Sequence, residues 1–311
     1  MSVVVCTALT KRYGDIDALH ELTIAVEEGE VLGFLGPNGA GKTTSLRMLL
    51  GLIRPTSGAA RLFGRDPLVD GARALDGVAG FVEGPRFYPY MSGRRNLQLL
   101  ADYDGDGARK RIDEVLRLVE LQDRAKHRVG GYSHGMRQRL GIAASLLRDP
   151  RMLLLDEPAT GLDPAGMRDM RALVRRLADE GITVLLSSHL LAEVEELCNR
   201  VAIIRRGRIV YEGSLAALLT TAGEQYRLRA IEPERAQVVC LSHPGLEDVQ
   251  RDGDEIVFRA SQDVVAGLSI ALGQARVGFT ALAPRSTSLE ELFLGMTEGQ
   301  PDEEPAAEAV A

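Results

Sequence analysis

The chain's 311 residues exceed one typical domain, so a large domain and a smaller one are expected. An apolar fraction of 45% with 26% charged residues is that of an ordinary globular protein, with neither a disordered nor a fibrous bias. A net charge of -7 with a pI near 5.4 argues against nucleic acid as a partner.

In chain order, residues 1–10 carry no basic leader ahead of a long apolar run, so no secretory signal is expected. The strongest apolar runs, at 31–35, 152–155 and 182–186, fall far short of the ~20 residues that span a bilayer. Any membrane role is therefore assigned to a separate partner. Apolar, β-rich segments at 23–26 and 31–35 predict strands, and 42–50 predicts the helix that follows. Residues 94–120 have helix-forming composition broken by the turn signal Asp104-Gly105-Asp106-Gly107, which predicts a helical lobe inserted at about 84–150. Buried strands at 152–155, 183–187 and 201–204 alternate with helices at 164–178 and 190–198. That alternation predicts an α/β domain whose mostly parallel sheet is covered by helices.

The pattern changes after about Leu219. A strand at 225–230, a helix at 233–240, strands at 246–250 and 255–258, a helix, and a strand at 277–282 follow in turn. This βαββαβ order predicts a small ferredoxin-like α+β domain over 220–299, behind a first domain over 1–219. Residues 300–311 are acidic and rich in Pro and Ala, without a periodic apolar face, and predict a disordered tail. Cys6, Cys198 and Cys240 are widely separated and read as reduced thiols.

The segment Gly36-Pro37-Asn38-Gly39-Ala40-Gly41-Lys42-Thr43, with Thr44 behind it, fits G-x-x-x-x-G-K-[ST] at a strand-to-helix junction. Glycines let the backbone curl so that several N–H groups face one anion, and the helix adds the positive end of its dipole. Lys42 supplies a point charge for β- and γ-phosphates, and Thr43 offers a hydroxyl to Mg²⁺. A glycine-rich turn without a ligand is the competing reading, which the strand-to-helix setting disfavours. The run Met152-Leu153-Leu154-Leu155-Asp156-Glu157 places two carboxylates at the carboxyl end of a buried strand, the edge where parallel sheets bind ligands. Asp156 is expected to hold Mg²⁺, and Glu157 to polarise the water that attacks the γ-phosphate.

With these motifs in this order, residues 3–219 resemble an ATP-binding cassette (ABC) protein. The resemblance implies a P-loop NTPase cassette with an antiparallel β subdomain and a helical lobe, with ATP and Mg²⁺ as ligands. It also implies a second cassette closing head to tail, so that each ATP lies between one phosphate loop and the other cassette's signature motif. Tyr13 matches the aromatic residue that stacks on adenine. Tyr132-Ser133-His134-Gly135-Met136 occupies the place of the LSGGQ signature; Ser133 and Gly135 are retained, whereas Tyr132, His134 and Met136 depart from it. Ala159-Thr160-Gly161-Leu162-Asp163 resembles the D-loop, and His189 in Ser187-Ser188-His189 matches the switch histidine at the γ-phosphate. Glu83 stands where the family usually carries a glutamine; it keeps an acceptor oxygen and is expected to link Mg²⁺ to the lobe. Catalysis is thus assigned to Glu157, His189 and Lys42.

Glu83, the segment Phe87-Tyr88-Pro89-Tyr90-Met91-Ser92-Gly93 and the run Ser288-Leu289-Glu290-Glu291-Leu292-Phe293 are similar to the ABC-2-type exporter ATPases, including bacitracin- and daunorubicin-resistance types. The resemblance implies an ATPase dimer, most simply a homodimer, that drives export through a separate integral-membrane permease. It places the chain in the cytoplasm, peripheral on the inner face of the membrane. The competing reading is a soluble ABC ATPase that remodels ribosomes or DNA. The tandem cassettes, basic linkers and long coiled coils of such proteins have no counterpart here.

Overall fold

The computed structural model describes residues 1–221, 225–285 and 289–298; Ser288 and the segment 300–311 lie outside them. The chain divides into two units, Met1–Leu215 and Ala216–Ala311.

The first unit opens with two long antiparallel strands, β1 (Ser2–Tyr13) and β2 (Ile16–Glu27), joined through Gly14 at φ 57°. Then follow β3 (Val31–Leu35), α1 (Lys42–Leu49), β4 (Ser57–Leu62) and β5 (Val78–Phe81). The sheet order β2-β1-β4 gives the antiparallel subdomain. Three helices come next, α2 (Gly93–Asp104), α3 (Asp106–Leu118) and α4 (His134–Leu146). The unit closes with β6 (Met152–Asp156), α5 (Pro164–Asp179), β7 (Thr183–Ser188), α6 (Leu191–Leu197), β8 (Arg200–Arg205) and β9 (Arg208–Ser214).

β3, β6 and β7 are buried from end to end, which is why they read as unbroken apolar runs: a parallel sheet is covered on both faces. They lie within the sheet β5-β6-β7-β3-β8-β9, parallel except for its β8-β9 pair. Register sets Leu35 beside Ser188 and Asp156 beside Ser187, so the three central strands end together at one edge. Phe34, Leu46, Leu49, Leu154 and Leu185 join the apolar faces of β1 and β2 in one core. Each such fully buried side chain contributes about 2 kcal/mol.

The helices start where their caps dictate. Ser92, Ser133 and Asp163 accept the N–H groups of Arg95, Met136 and Gly166, and Pro164 occupies the first turn of α5. Gly105, at φ 87°, separates α2 from α3 in the predicted turn. Buried Asn96 donates to the carbonyls of Tyr88 and Ser92 and accepts the Tyr88 N–H, pinning the segment before α2 to that helix.

The helix α7 (Leu215–Thr221) spans the division between the units. The second unit continues with β10 (Gln225–Ala230), α8 (Pro233–Ser242), β11 (Glu247–Asp252), β12 (Glu255–Arg259), α9 (Gln262–Gln274), β13 (Phe279–Arg285) and α10 (Leu289–Glu298). Its sheet order β11-β12-β10-β13 is antiparallel throughout, the pairing of a ferredoxin-like βαββαβ unit. Leu228, Ile256, Leu268 and Leu272 fill its core, with Tyr226 and Phe258 stacked 6.1 Å apart.

Candidate active site

The loop between β3 and α1 is shaped by contacts that leave no room for side chains. A Cβ on Gly36 would lie 2.4 Å from the Ile204 carbonyl, and one on Gly41, at φ 110°, would lie 2.7 Å from the Ala18 carbonyl. The loop is also bonded to its surroundings, since the Gly207 N–H donates to the Ala40 carbonyl at 2.9 Å and the His20 N–H to the Gly207 carbonyl at 2.8 Å. The antiparallel sheet thus buttresses the loop from behind.

Lys42 opens α1 with its ammonium buried. Nζ donates to the Gly36 carbonyl at 2.6 Å and lies 3.3 Å from Glu157 Oε1. Thr43 follows, and its hydroxyl donates to Asp156 at 3.1 Å. Asp156, at the end of β6, also accepts the Ser187 hydroxyl and, at 3.2 Å, the Glu83 backbone N–H. The next residue turns sharply: Glu157 has φ 51°, and its N–H donates to the Ser187 carbonyl at 3.1 Å. This turn sends the two neighbouring carboxylates to different tasks, one inward to Thr43 and one outward to Lys42.

Glu157 Oε2 accepts the Thr160 hydroxyl at 2.8 Å and lies 2.6 Å from His189 Nδ1. Burial pushes the Glu157 carboxyl up, but Thr160, Lys42 and His189 together outweigh it and hold the group below the ordinary glutamate value. An ionised carboxylate only accepts, so His189 Nδ1 carries the proton in this pair. A cavity of about 300 Å³ is lined by Asn38, Gly39, Ala40, Gly41, Lys42, Thr43, Thr44, Glu157, Thr160 and His189, with Ala18 at its side.

The oxygen donors Thr43 and Asp156 fit a hard cation such as Mg²⁺. Among the described residues no cluster of three or more His, Cys, Asp or Glu could cage a metal.

Several candidate residues lie elsewhere. Ser133 and Gly135 line a second cavity of about 480 Å³ with His134, Met136, Leu162 and Asp163, away from the phosphate loop of their own chain. There the Ser133 hydroxyl caps α4, and His134 Nε2 meets the Thr160 carbonyl at 3.0 Å. Tyr132 is buried, with its hydroxyl donated to the Arg124 carbonyl at 2.8 Å. Tyr13 is exposed at the end of β1, with the Lys11 ammonium 4.7 Å from its ring, and does not line the cavity. The Glu83 side chain turns to Arg47 on α1; only its backbone reaches Asp156. Thr160 and Ser187 join the site without being expected there from the sequence, although one sits in the D-loop-like segment and the other beside the switch histidine's serine.

A family model described as ABC transporter matches residues 19–160. The ABC transporter ATP-binding protein YdbJ of Bacillus subtilis, itself uncharacterised, is 38% identical over 95% of both chains. The chain belongs to the ATP-binding proteins of ABC transporters. Among its relatives, the bacitracin transport ATP-binding protein BcrA of Bacillus licheniformis is 41% identical over 82% of this chain and 84% of its own. The daunorubicin resistance ATP-binding protein DrrA3 of Streptomyces coeruleorubidus is 36% identical over 92% and 93%. A solved ATP-binding subunit of an ABC transporter superposes with a TM-score of 0.64 at 28% identity, over 71% of this chain and 93% of that one. A dimeric cassette in a post-hydrolysis state, bound to ADP and Pi, gives 0.62 at 26% identity, over 68% and 98%. The chain thus carries an ABC ATPase domain, which implies ATP binding and hydrolysis.

Proposed function

We propose that this chain is the motor of an ABC exporter, binding Mg-ATP at the phosphate loop and hydrolysing it within a pair of identical cassettes. The observation that carries the catalytic assignment is the Glu157 carboxylate, held at the mouth of the loop by Lys42, Thr160 and His189. Ionised in that setting, Glu157 orients and polarises the attacking water, while Lys42 meets the β- and γ-phosphates. Thr43 and Asp156 would hold Mg²⁺, which when bound would neutralise charge on the phosphates. Glu83, once released from Arg47, would add an oxygen ligand to that ion, and Tyr13 would stack on adenine.

Ser133 and Gly135 act on the ATP of the second cassette, because in their own chain they line a different cavity. The α4 N-terminus and the Ser133 hydroxyl would meet that γ-phosphate. ATP then closes the pair, hydrolysis reopens it, and the helical lobe passes the change to a membrane permease. Relatives named for bacitracin transport and daunorubicin resistance support export of an amphipathic compound. Among the described residues no helix is long and apolar enough to cross a membrane; the relatives' names as ATP-binding proteins of transporters support a separate permease and a peripheral place on the cytoplasmic face.

The test is affinity capture of tagged Glu157→Gln protein from detergent-solubilised native membranes, with and without Mg-ATP. Recovery of a multi-span membrane protein is expected. Recovery of ribosomal or DNA-associated proteins in its place would overturn the exporter reading in favour of a soluble remodelling ATPase.

A further inference from the structure

The loop that presents His189 rests on a buried carboxylate that the hydrolysis scheme does not use. Glu193, in the first turn of α6, is 3% exposed. Its Oε2 accepts the Ser188 hydroxyl at 2.5 Å, and the Ser188 oxygen in turn accepts the Leu190 N–H at 2.9 Å. The Glu193 N–H donates to the Leu190 carbonyl at 3.1 Å. The residues on both sides of His189 are thus tied to Glu193, and His189 forms the tip between them with its Nδ1 on Glu157.

The support is rigid at its base. Ser188 ends β7 in register with Leu35, the last residue of β3 before the phosphate loop. The helix α6 packs closely on β3 at Gly33, where a Cβ would lie 2.8 Å from Cys198 Sγ.

Stability does not account for this carboxylate. Glu193 Oε1 is buried with no hydrogen-bond partner among the described residues, and a buried carboxylate with one bare oxygen is unfavourable. What the arrangement supplies is placement, and reacting groups need placement to within about 0.5 Å. We propose that Glu193 is a positioning residue for ATP hydrolysis, fixing His189 against Glu157 through Ser188. This inference rests on the role given to His189 above.

The experiment measures kcat, KM for ATP and thermal unfolding of the full chain and its variants. Glu193→Ala and Ser188→Ala are each expected to lower kcat about tenfold or more, with KM changed by less than about threefold. Glu193→Gln keeps an acceptor for the Ser188 hydroxyl and is expected to recover most of the loss. In a His189→Ala background, neither alanine variant should lower kcat further, because all three act through one group. Should Glu193→Ala fail to fold, Ser188→Ala removes the same link from the other side. Native kcat in Ser188→Ala and in folded Glu193→Ala, beside an impaired His189→Ala, overturns the inference alone, as do losses that multiply in the His189→Ala background. A native rate in His189→Ala removes the histidine from the proposed function and the inference with it.

Discussion

His189 Nδ1 lies 2.6 Å from Glu157 Oε2, so the histidine is bonded to the carboxylate rather than standing free at the cavity's edge. The contact depends on Glu157 adopting φ 51°, a left-handed conformation that costs a non-glycine residue about 1 kcal/mol or more. That strain is what turns Glu157 away from Asp156, its neighbour in sequence, and toward Lys42 and His189.

Replacing Glu157 with Gln keeps the side chain's shape and removes its charge. ATP binding is expected to persist, while kcat falls by about 10² to 10⁴. A nucleotide-binding titration beside a phosphate-release assay separates the two. A kcat within a few fold of native would show that Glu157 does not polarise the water.

Lys42 is the opposite case. Its side chain is 6% exposed, and among the described residues its ammonium is satisfied by loop carbonyls and Glu157. Lys42→Ala should weaken ATP binding about 10- to 100-fold, the scale of a hydrogen-bonded charge contact. It also removes a charge that holds Glu157 low, so the pH below which activity fails should rise. Equal affinity in native and variant chains would place the phosphates elsewhere.

The positions of Lys42, Asp156 and Glu157 at the ends of their strands and at the start of α1 were legible because strands and glycine-rich loops are encoded locally. The runs at 31–35, 152–155 and 183–187 are uninterrupted because both faces of β3, β6 and β7 are covered, and the chemistry sits where those runs stop. β1 was not legible as a strand: its pairing with β2 shifts register four times, and the alternation that marks a half-buried strand is lost. β9 shows the reverse problem, since none of its residues is fully buried in its pairing with β8 at the sheet edge. The side-chain direction of Glu83 was not readable either, because it is set by Arg47, 36 positions earlier in the chain. The Thr160 and Ser187 bonds likewise exist only once β6, β7 and the loop after β6 have come together.

The Arg47–Glu83 pair leads to a third prediction. Both side chains are substantially exposed, so breaking the pair should change stability by no more than about 0.5 kcal/mol. If Glu83 exchanges Arg47 for the Mg²⁺ shell during turnover, Glu83→Ala should lower ATPase activity about tenfold, as loss of a supporting group around a metal does. It should also raise the Mg²⁺ needed for half-maximal rate. Arg47→Ala, which frees the same carboxylate, should leave that requirement unchanged or lower it. ATPase activity and transport both unchanged in Glu83→Ala would end the assignment.

Glu193 carries a prediction in stability that is independent of catalysis. Burial pushes its carboxyl from the ordinary 4.5 up to about 7, opposed by the Ser188 hydrogen bond, reinforced by the Glu157 charge, and opposed again by Arg171 on α5 and by His189. Cys198, farther along the chain, also senses the Glu193 charge. Because the folded value lies above the unfolded one, the protonated form is favoured in the native state. The associated stability is fully present below about pH 4.5, declines as pH rises, and is lost above about pH 7. A shift of that size corresponds to about 3 kcal/mol. Glu193→Gln has nothing to titrate, so it should match the native chain in denaturant unfolding near pH 5. Near pH 8 it should be the more stable of the two by up to that amount. A difference between the two chains that stays constant from about pH 5 to about pH 8 would mean that Glu193 ionises as freely in the fold as in the unfolded chain.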